Sequence, residues 1–112
     1  MIIFYGHSAG KAAVPAESPV EVSLETALAV FRGLDALRGF LGVILDQRST
    51  LQLLLRRDGT RVELLDTSRP AFDACVTDAE FAESLLHAAA DGRDVFGVAH
   101  QRRLVWEHTD LA

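Results

Sequence analysis

Apolar residues recur at every second position through most of residues 40–66, and this alternation constrains the fold more than any other feature. The alternating residues are Leu41, Val43, Leu45, Leu51, Leu53, Leu55, Val62 and Leu64. A period of two that is interrupted by turn residues is typical of antiparallel strands with one buried face. The segment therefore predicts a three-stranded antiparallel meander, about residues 40–66.

Turn chemistry sets the predicted register of this meander. Asp58-Gly59 is a frequent two-residue hairpin loop, because both central residues of a type I′ turn adopt φ > 0. Residues 47–49 are predicted to form a three-residue loop in the other hairpin. The predicted pairs are Leu41–Leu55, Val43–Leu53, Leu45–Leu51, Leu53–Leu64 and Leu55–Val62. Both registers place all the alternating residues on one face of the sheet, so the two turns agree with each other.

The second face of the predicted meander carries three large apolar residues, Ile44, Leu54 and Leu65. Apolar groups of this size on an outer face need a cover or form a contact surface. The sequence leaves two alternatives open. Either a terminal segment of the chain covers these residues, or they bind a partner or a second copy.

Helical spacing of apolar residues predicts two helices that flank the meander, about residues 23–38 and 78–91. Ser23 follows a short extended piece at residues 20–22 and can cap the first helix. Gly39 is predicted to end this helix, because glycine readily adopts the conformation that follows a last helical turn.

The second helix is predicted to begin with a capping box in which Thr77 is the N-cap.

Further strands are predicted outside the meander and its helices. Residues 1–5 predict a strand before the first helix, and residues 95–98 and 104–107 predict one or two strands after the second. The chain is thus predicted to be a single α+β domain that spans residues 1–112.

Charge and cysteine content narrow the classes of function. The formal net charge of −5 argues against nucleic-acid binding, which relies on Lys and Arg to neutralise phosphates, and it fits a basic partner better. Cys75 is the only cysteine, which favours a reducing, cytoplasmic compartment. The sequence shows neither a signal-peptide pattern nor the run of about 18 apolar residues that a membrane span requires.

One short segment has the pattern of a catalytic motif. Gly6-His7-Ser8-Ala9-Gly10 matches the G-x-S-x-G serine elbow of α/β-hydrolases. Such an elbow needs earlier strands and a helix immediately after it, whereas Ser8 lies near the start of the sequence and Pro15 soon follows. A small serine hydrolase that uses Ser8 is therefore the least favoured alternative. The histidines lack metal-ligand spacing and no phosphate-binding loop is present, so neither a metal nor a cofactor is expected.

Two groups of arginines are candidates for partner binding. Arg56, Arg57 and Arg61 gather around the Asp58-Gly59 hairpin, and Arg102-Arg103 precede the last predicted strand. The predicted register places Arg56 directly opposite Arg61, where like charges destabilise a sheet slightly. Such a pair indicates a site for an acidic ligand or partner. The alternative is a solvated edge whose charges discourage aggregation between strands.

Four residues are predicted to carry partner binding. They are Arg56, Arg61, Leu54 and Trp106. Arginine and aromatic residues are frequent hot spots of protein interfaces, and Leu54 lies beside the arginines on the second face of the meander.

The order of the predicted elements resembles small bacterial immunity proteins of polymorphic toxin systems. The resemblance spans residues 20–106 and consists of pattern rather than signature residues. It is carried by a helix that leads into Phe40-Leu41-Gly42-Val43-Ile44-Leu45, by the two strands that follow, and by the capped second helix with Trp106 beyond it. It implies a protein that occludes a cognate toxin domain, often by electrostatic complementarity.

We therefore expect a non-enzymatic protein-binding module, with an immunity protein as the first interpretation. The acidic composition and the predicted order of helix, three strands and helix also resemble those of secretion chaperones. Such chaperones act as dimers and hold an unfolded effector segment. The oligomeric state separates these interpretations, because a chaperone should be an obligate dimer, whereas an immunity protein need not be.

Overall fold

The computed structural model describes residues 1–111 and consists of one antiparallel sheet and three helices. The strands are β1 (Ile2–Gly6), β2 (Val20–Glu21), β3 (Phe40–Ile44), β4 (Ser49–Arg56), β5 (Gly59–Asp66), β6 (Ala71–Thr77) and β7 (Glu107–Asp110). The helices are α1 (Leu24–Arg32), α2 (Ala79–Ala90) and α3 (Val95–Gln101). The seven strands lie in the order β2-β1-β3-β4-β5-β6-β7. The predicted α+β class is confirmed, and Ala112 of the predicted domain lies outside the described residues.

All three helices pack on one face of the sheet, which we call the helical face. Its buried residues from the strands are Ile3, Leu41, Val43, Leu51, Leu53, Val62, Leu64 and Cys75. The helices contribute Leu28, Val30, Phe31, Ala82, Leu85, Leu86, Ala88, Val95 and Ala99. Leu45 and Leu55 are half-buried against this core, so all the alternating residues of the meander share one face, as predicted. None of the helices in residues 1–111 is long and apolar enough to span a membrane.

The first hairpin of the meander has a different register from the predicted one. Val43 lies opposite Leu51 instead of Leu53. The carboxylate of Asp46 accepts hydrogen bonds from the backbone N–H groups of Arg48 and Ser49, at 2.7 and 2.8 Å, and so fixes a turn that begins earlier than predicted. The register is shifted by two residues. Since side chains alternate with a period of two, each residue keeps its face.

The second hairpin is shifted by two residues as well, and the predicted Asp58-Gly59 loop is wrong. Arg56 pairs with Gly59, so Arg57 and Asp58 form the loop and Gly59 is the first residue of β5. Gly59 has φ +140°, and a Cβ atom there would lie 2.6 Å from the carbonyl oxygen of Thr77. Glycine is therefore required by the close approach of β6, and Arg56 does not face Arg61.

The first helix begins as predicted but is shorter. The Oγ of Ser23 accepts a hydrogen bond from the N–H of Thr26 at 3.2 Å, which confirms the predicted cap. The helix ends at Arg32, not near residue 38, because the following residues pair with the N-terminal segment. The N–H of Ala9 donates to the carbonyl of Gly33 at 2.8 Å, and the N–H of Asp35 donates to His7 at 2.7 Å.

The second helix matches its predicted range, but its cap is one residue later. The carboxylate of Asp78 accepts a hydrogen bond from the N–H of Phe81 at 2.7 Å. Thr77 cannot serve as the cap, because it is the last residue of β6 and pairs with Thr60. The capping box predicted at Thr77 is therefore wrong.

The C-terminal third differs most from the prediction. Residues 95–98 belong to helix α3 rather than to a strand, since Asp94 caps the helix through the N–H of Gly97 at 3.1 Å. The helix buries Val95 and Ala99, which lie one turn apart. Strand β6 was not predicted, and the last strand lies at Glu107–Asp110 rather than at residues 104–107.

The terminal strands widen the sheet in its own plane. The predicted N-terminal strand is confirmed as β1, which lies between β2 and β3, and β7 pairs with β6 at the other edge. No helix or strand of residues 1–111 lies over the face opposite the helices. The terminal strands therefore do not cover Ile44, Leu54 and Leu65, which are half-buried.

Candidate functional site

Ser8 has a structural contact rather than the environment of a serine elbow. Its side chain is buried, and its Oγ donates a hydrogen bond to the carbonyl of Val30 in α1 at 2.9 Å. The residue with positive φ is His7, at 57°, and not Ser8. The next helix begins only at Leu24, so the strand-to-helix turn that exposes a catalytic serine is absent from residues 6–23. The hydroxyl holds the N-terminal segment against α1.

The face of the sheet opposite the helices, which we call the open face, is rich in large apolar side chains. Residues directly opposite each other in neighbouring strands share a face, so the observed register identifies its members. They are Ile2 and Phe4 in β1, Phe40 and Ile44 in β3, Leu54 in β4, Leu65 in β5, and Phe72 and Val76 in β6. Three of the six phenylalanines of the chain are therefore on this face.

Two aromatic rings of the open face lie over glycines. A Cβ atom on Gly42 would come within 2.0 Å of the Phe4 ring, and one on Gly6 within 2.6 Å of the Phe40 ring. The two ring centroids are 6.5 Å apart and the ring planes are tilted by 53°. This is a favourable aromatic geometry. The rings fill the space that side chains on the two glycines would occupy.

The centre of the open face is polar but electrically balanced. Arg61 lies opposite Leu54, and its Nε atom is 2.9 Å from Oε2 of Glu63 on the same strand. Glu63 lies opposite Gln52. Both charged side chains are largely buried, with 29% of Arg61 and 18% of Glu63 exposed. The like-charge pair that indicated an acidic ligand is therefore replaced by an ion pair.

Arginines from both groups of the sequence meet at one end of the sheet, which we call the arginine end. It comprises Arg56, Arg57, Arg61 and Arg103. Arg61 and Arg103 line one cleft of about 400 Å³, whose other walls include Val76 and Val105. Arg56 pairs with Gly59, which touches Val76.

Three arginines of this end have no ion-pair partner among residues 1–111. They are Arg56, Arg57 and Arg103. Val105 is 87% exposed and Val76 is 41% exposed. The arginine end therefore offers free guanidinium groups beside accessible apolar side chains.

No family model, curated protein or solved structure matches the chain. The resemblance to immunity proteins therefore rests on the order of elements alone. The structure alters that order, because β6 stands between the meander and α2, and α3 replaces a predicted strand.

Trp106 does not join the other predicted binding residues. Its ring packs against the core on the helical side, with its centroid 4.6 Å from that of the His100 ring. Its Nε1 atom is buried and has no hydrogen-bond acceptor among residues 1–111. Of the four predicted residues, the structure thus brings together Arg56, Arg61 and Leu54, and it places Trp106 elsewhere.

Asp73 joins two histidines near Trp106, a cluster that sequence reasoning missed. Its carboxylate lies 2.5 Å from Nδ1 of His108 in β7 and 3.2 Å from Nε2 of His100 in α3. Nε2 of His108 is also 3.0 Å from Asp110. The hydrogen bond to Asp73, followed by that to Asp110, raises the pKa of His108 above its ordinary value. The cluster fastens α3 and β7 to β6, and no metal-binding group is found in residues 1–111.

The cysteine is unsuited to nucleophilic chemistry. Cys75 is buried in the core between the sheet and the helices, and burial raises the pKa of its thiol to about 11. A thiol of this kind stays protonated at neutral pH and is a poor nucleophile. Cys75 therefore packs as a small apolar side chain.

Proposed function

We propose that this protein is a non-enzymatic protein-binding module of the immunity type, which occludes a cognate toxin domain. The observation that carries the proposal is the arginine end. Arg56, Arg57 and Arg103 lack carboxylate partners there, although the chain as a whole has an excess of acidic residues. Glu107 lines the same cleft and Asp58 lies in the hairpin loop, but the arginines outnumber these carboxylates, so the arginine end differs in charge from the chain as a whole.

Arginine and exposed valine together form a surface that fits an acidic protein partner. A guanidinium group donates several hydrogen bonds in a fixed plane and binds carboxylates in a bidentate manner. Val76 and Val105 add apolar contact area beside these groups. Protein interfaces combine such features, with arginine among the frequent hot spots. The partner segment is therefore expected to carry carboxylates around an apolar side chain.

Capture of partners from the native lysate tests this proposal. The tagged protein is used as bait, and co-purified proteins are identified by mass spectrometry. A single stoichiometric partner with a toxin-like domain supports the immunity interpretation. A well-folded bait that captures no protein contradicts it.

A pair of charge-reversal variants tests the arginine end directly. We expect Arg56→Glu combined with Arg103→Glu to weaken partner capture at least about tenfold, because attractive contacts become repulsive. Arg48→Glu combined with Arg93→Glu is the matched control. It makes the same change in net charge at loops outside the arginine end, at residues that also lack ion-pair partners. Equal capture by both variants would show that the arginine end is a solvated edge.

The open face favours a second candidate, a chaperone of the secretion type. An unfolded effector segment is partly apolar, and the half-buried side chains of the open face offer it an apolar surface. Several unrelated effector-like clients in the capture experiment would support the chaperone over the immunity protein. Their retention by the Arg56→Glu, Arg103→Glu variant would support it further.

A further inference from the structure

The open face departs from the usual pattern of an antiparallel sheet with helices on one side. Such a sheet normally alternates between apolar residues toward the core and polar residues toward water. Here the outer positions of β1 and β3–β6 carry eight large apolar residues. Contiguous apolar surfaces of this kind mark sites of contact with another molecule.

The charge of the open face narrows the choice of that molecule. Across β1 and β3–β6, its charged side chains are Arg56 at one end and the Arg61–Glu63 pair at the centre. The acidic excess that gives −5 lies mainly outside these five strands, and Glu21 in β2 and Glu107 in β7 flank the face at its two edges. Two copies with the same net charge repel each other through most of their surfaces. The open face is where this repulsion is weakest, whereas a strongly charged foreign partner would find no complementary charge at its centre.

The central ion pair also gives the open face the self-complementarity that a symmetric dimer requires. In a two-fold interface, residue i of one copy contacts residue j of the other, and j contacts i. Arg61 and Glu63 flank Val62 on the same strand and point to the same side. Consider a two-fold axis that lies in the plane midway between the two stacked sheets, runs perpendicular to β5 and passes Val62. This axis places Arg61 of each copy over Glu63 of the other.

The area of the open face fits a small dimer interface. Five strands with a spacing of about 4.8 Å and a length of about 20 Å cover a flat area of about 500 Å². Side chains raise the accessible area above the flat area. A standard interface buries about 800 Å² per partner and weak ones less than about 600 Å², so face-to-face packing of the two sheets corresponds to an interface below the standard size.

From these observations we propose that the open face is the interface of a homodimer, in which two sheets stack face to face around the Arg61–Glu63 pairs. The Phe4 ring fills the space over Gly42 and is itself buried, so it projects little from this surface. The dimer would form a four-layer molecule with the helices outside. The proposed interface shares Arg56, Arg61 and Val76 with the arginine end and the apolar face with the chaperone candidate, whereas Arg57 and Arg103 lie outside it.

Sedimentation equilibrium of the full chain tests the proposal. We expect a particle of twice the chain mass of 12.2 kDa. Leu65→Arg should raise the dissociation constant more than about tenfold, because the interface would then bury an additional unpaired charge. Leu37→Arg is the matched control, since Leu37 is 55% exposed and lies outside the sheet. It should remain dimeric, and a wild-type monomer would overturn the inference.

A charge-exchange experiment covers the possibility that Leu65→Arg fails to fold. Arg61→Glu alone and Glu63→Arg alone each produce like charges across the axis, so each variant should be monomeric. An equimolar mixture should form a heterodimer, which native mass spectrometry detects by its mass. Dimers of each single variant at wild-type affinity would contradict the proposed axis.

The outcomes separate this inference from the proposed function. A monomer that loses capture of another protein upon Leu65→Arg would assign the open face to a foreign partner and overturn the inference. Protein binding as a function would then still stand. A dimer whose capture is unaffected by Arg56→Glu and Arg103→Glu would support the inference and contradict the role of the arginine end.

Discussion

At the scale of single residues, the most demanding positions are those where a small residue lets two parts of the molecule approach. Gly42 lies under the Phe4 ring, and Gly59 lies against the carbonyl of Thr77. Ser8 also joins two parts of the molecule, because its buried hydroxyl donates a hydrogen bond to the carbonyl of Val30. These contacts join segments that are distant in the sequence, so substitutions there should affect stability more than their size implies.

We predict that Gly42→Ala lowers the free energy of unfolding by about 2 kcal/mol, because the new methyl group overlaps the Phe4 ring. Urea denaturation followed by circular dichroism measures the change. The double variant Phe4→Leu, Gly42→Ala is the informative control, since a smaller side chain leaves room for the methyl group. If Phe4→Leu does not reduce the effect of Gly42→Ala, the packing explanation fails.

We expect Ser8→Ala to destabilise the protein by about 1 kcal/mol, because a buried hydrogen bond to Val30 is lost. Ser84→Ala serves as the control, since its hydroxyl makes a similar bond to Phe81 at an exposed position and should contribute less. Labelling by a serine-reactive probe that disappears in Ser8→Ala would instead restore the hydrolase alternative.

At the scale of secondary structure elements, β7 is held with little help from the core. All four of its residues are exposed, and β6 is its sole neighbour in the sheet. The ion pair between His108 and Asp73 adds a side-chain contact to the strand pairing. Because a histidine carries this contact, the attachment of β7 depends on pH.

The sign of this dependence follows from the raised pKa of His108. Protonated His108 is stabilised in the folded state, so its contribution is fully present below the ordinary pKa of 6.5 and is lost as the pH rises through the higher folded pKa. We predict that the stability difference between the wild type and His108→Gln shrinks over this interval. Unfolding free energies measured at a series of pH values check it. Thr109→Val, on the same strand, removes no titratable group and should show no comparable trend.

The elements also show what the sequence could predict. The alternating apolar residues predict the meander correctly. A shift of the register by two residues leaves each of these side chains on the same face of the sheet. Strand β6 could not be found in this way, because its positions toward the helices are Ala71, Asp73, Cys75 and Thr77, which are small or polar. Helix α3 is too short for a clear helical period and contains Gly97.

The candidate sites could be predicted only in part. The sequence correctly predicts that Leu54, Arg56 and Arg61 share one face. The predicted pairing of Arg56 with Arg61 is wrong because it depends on a turn that the Asp58-Gly59 pattern misplaces. The contribution of Phe4 to the open face depends on the pairing of β1 with β3, which no local pattern encodes. The convergence of Arg61 with Arg103 likewise arises from tertiary structure.

At the scale of the whole molecule, the fold separates three kinds of surface. The helices cover one face of the sheet, the open face is apolar with a balanced centre, and the arginine end is basic within an acidic chain. In the proposed dimer, the two-fold axis reverses the strand direction of the second copy. The two arginine ends then point in opposite directions along the strands, and Arg57 and Arg103 of each copy stay outside the interface.

The position of β1 has a consequence for how the protein is made. This strand leaves the ribosome before β3, yet it lies inside the sheet and needs β3 as its partner, which is complete only after residue 44 has emerged as well. Until then, β1 has an unpaired edge and exposes Ile3 and Phe4, which are buried in the finished molecule. Contacts between segments so far apart in the chain slow folding. The nascent protein therefore passes through a stage at which aggregation competes with completion of the sheet, and its yield in cells should depend on the speed of translation through residues 7–44.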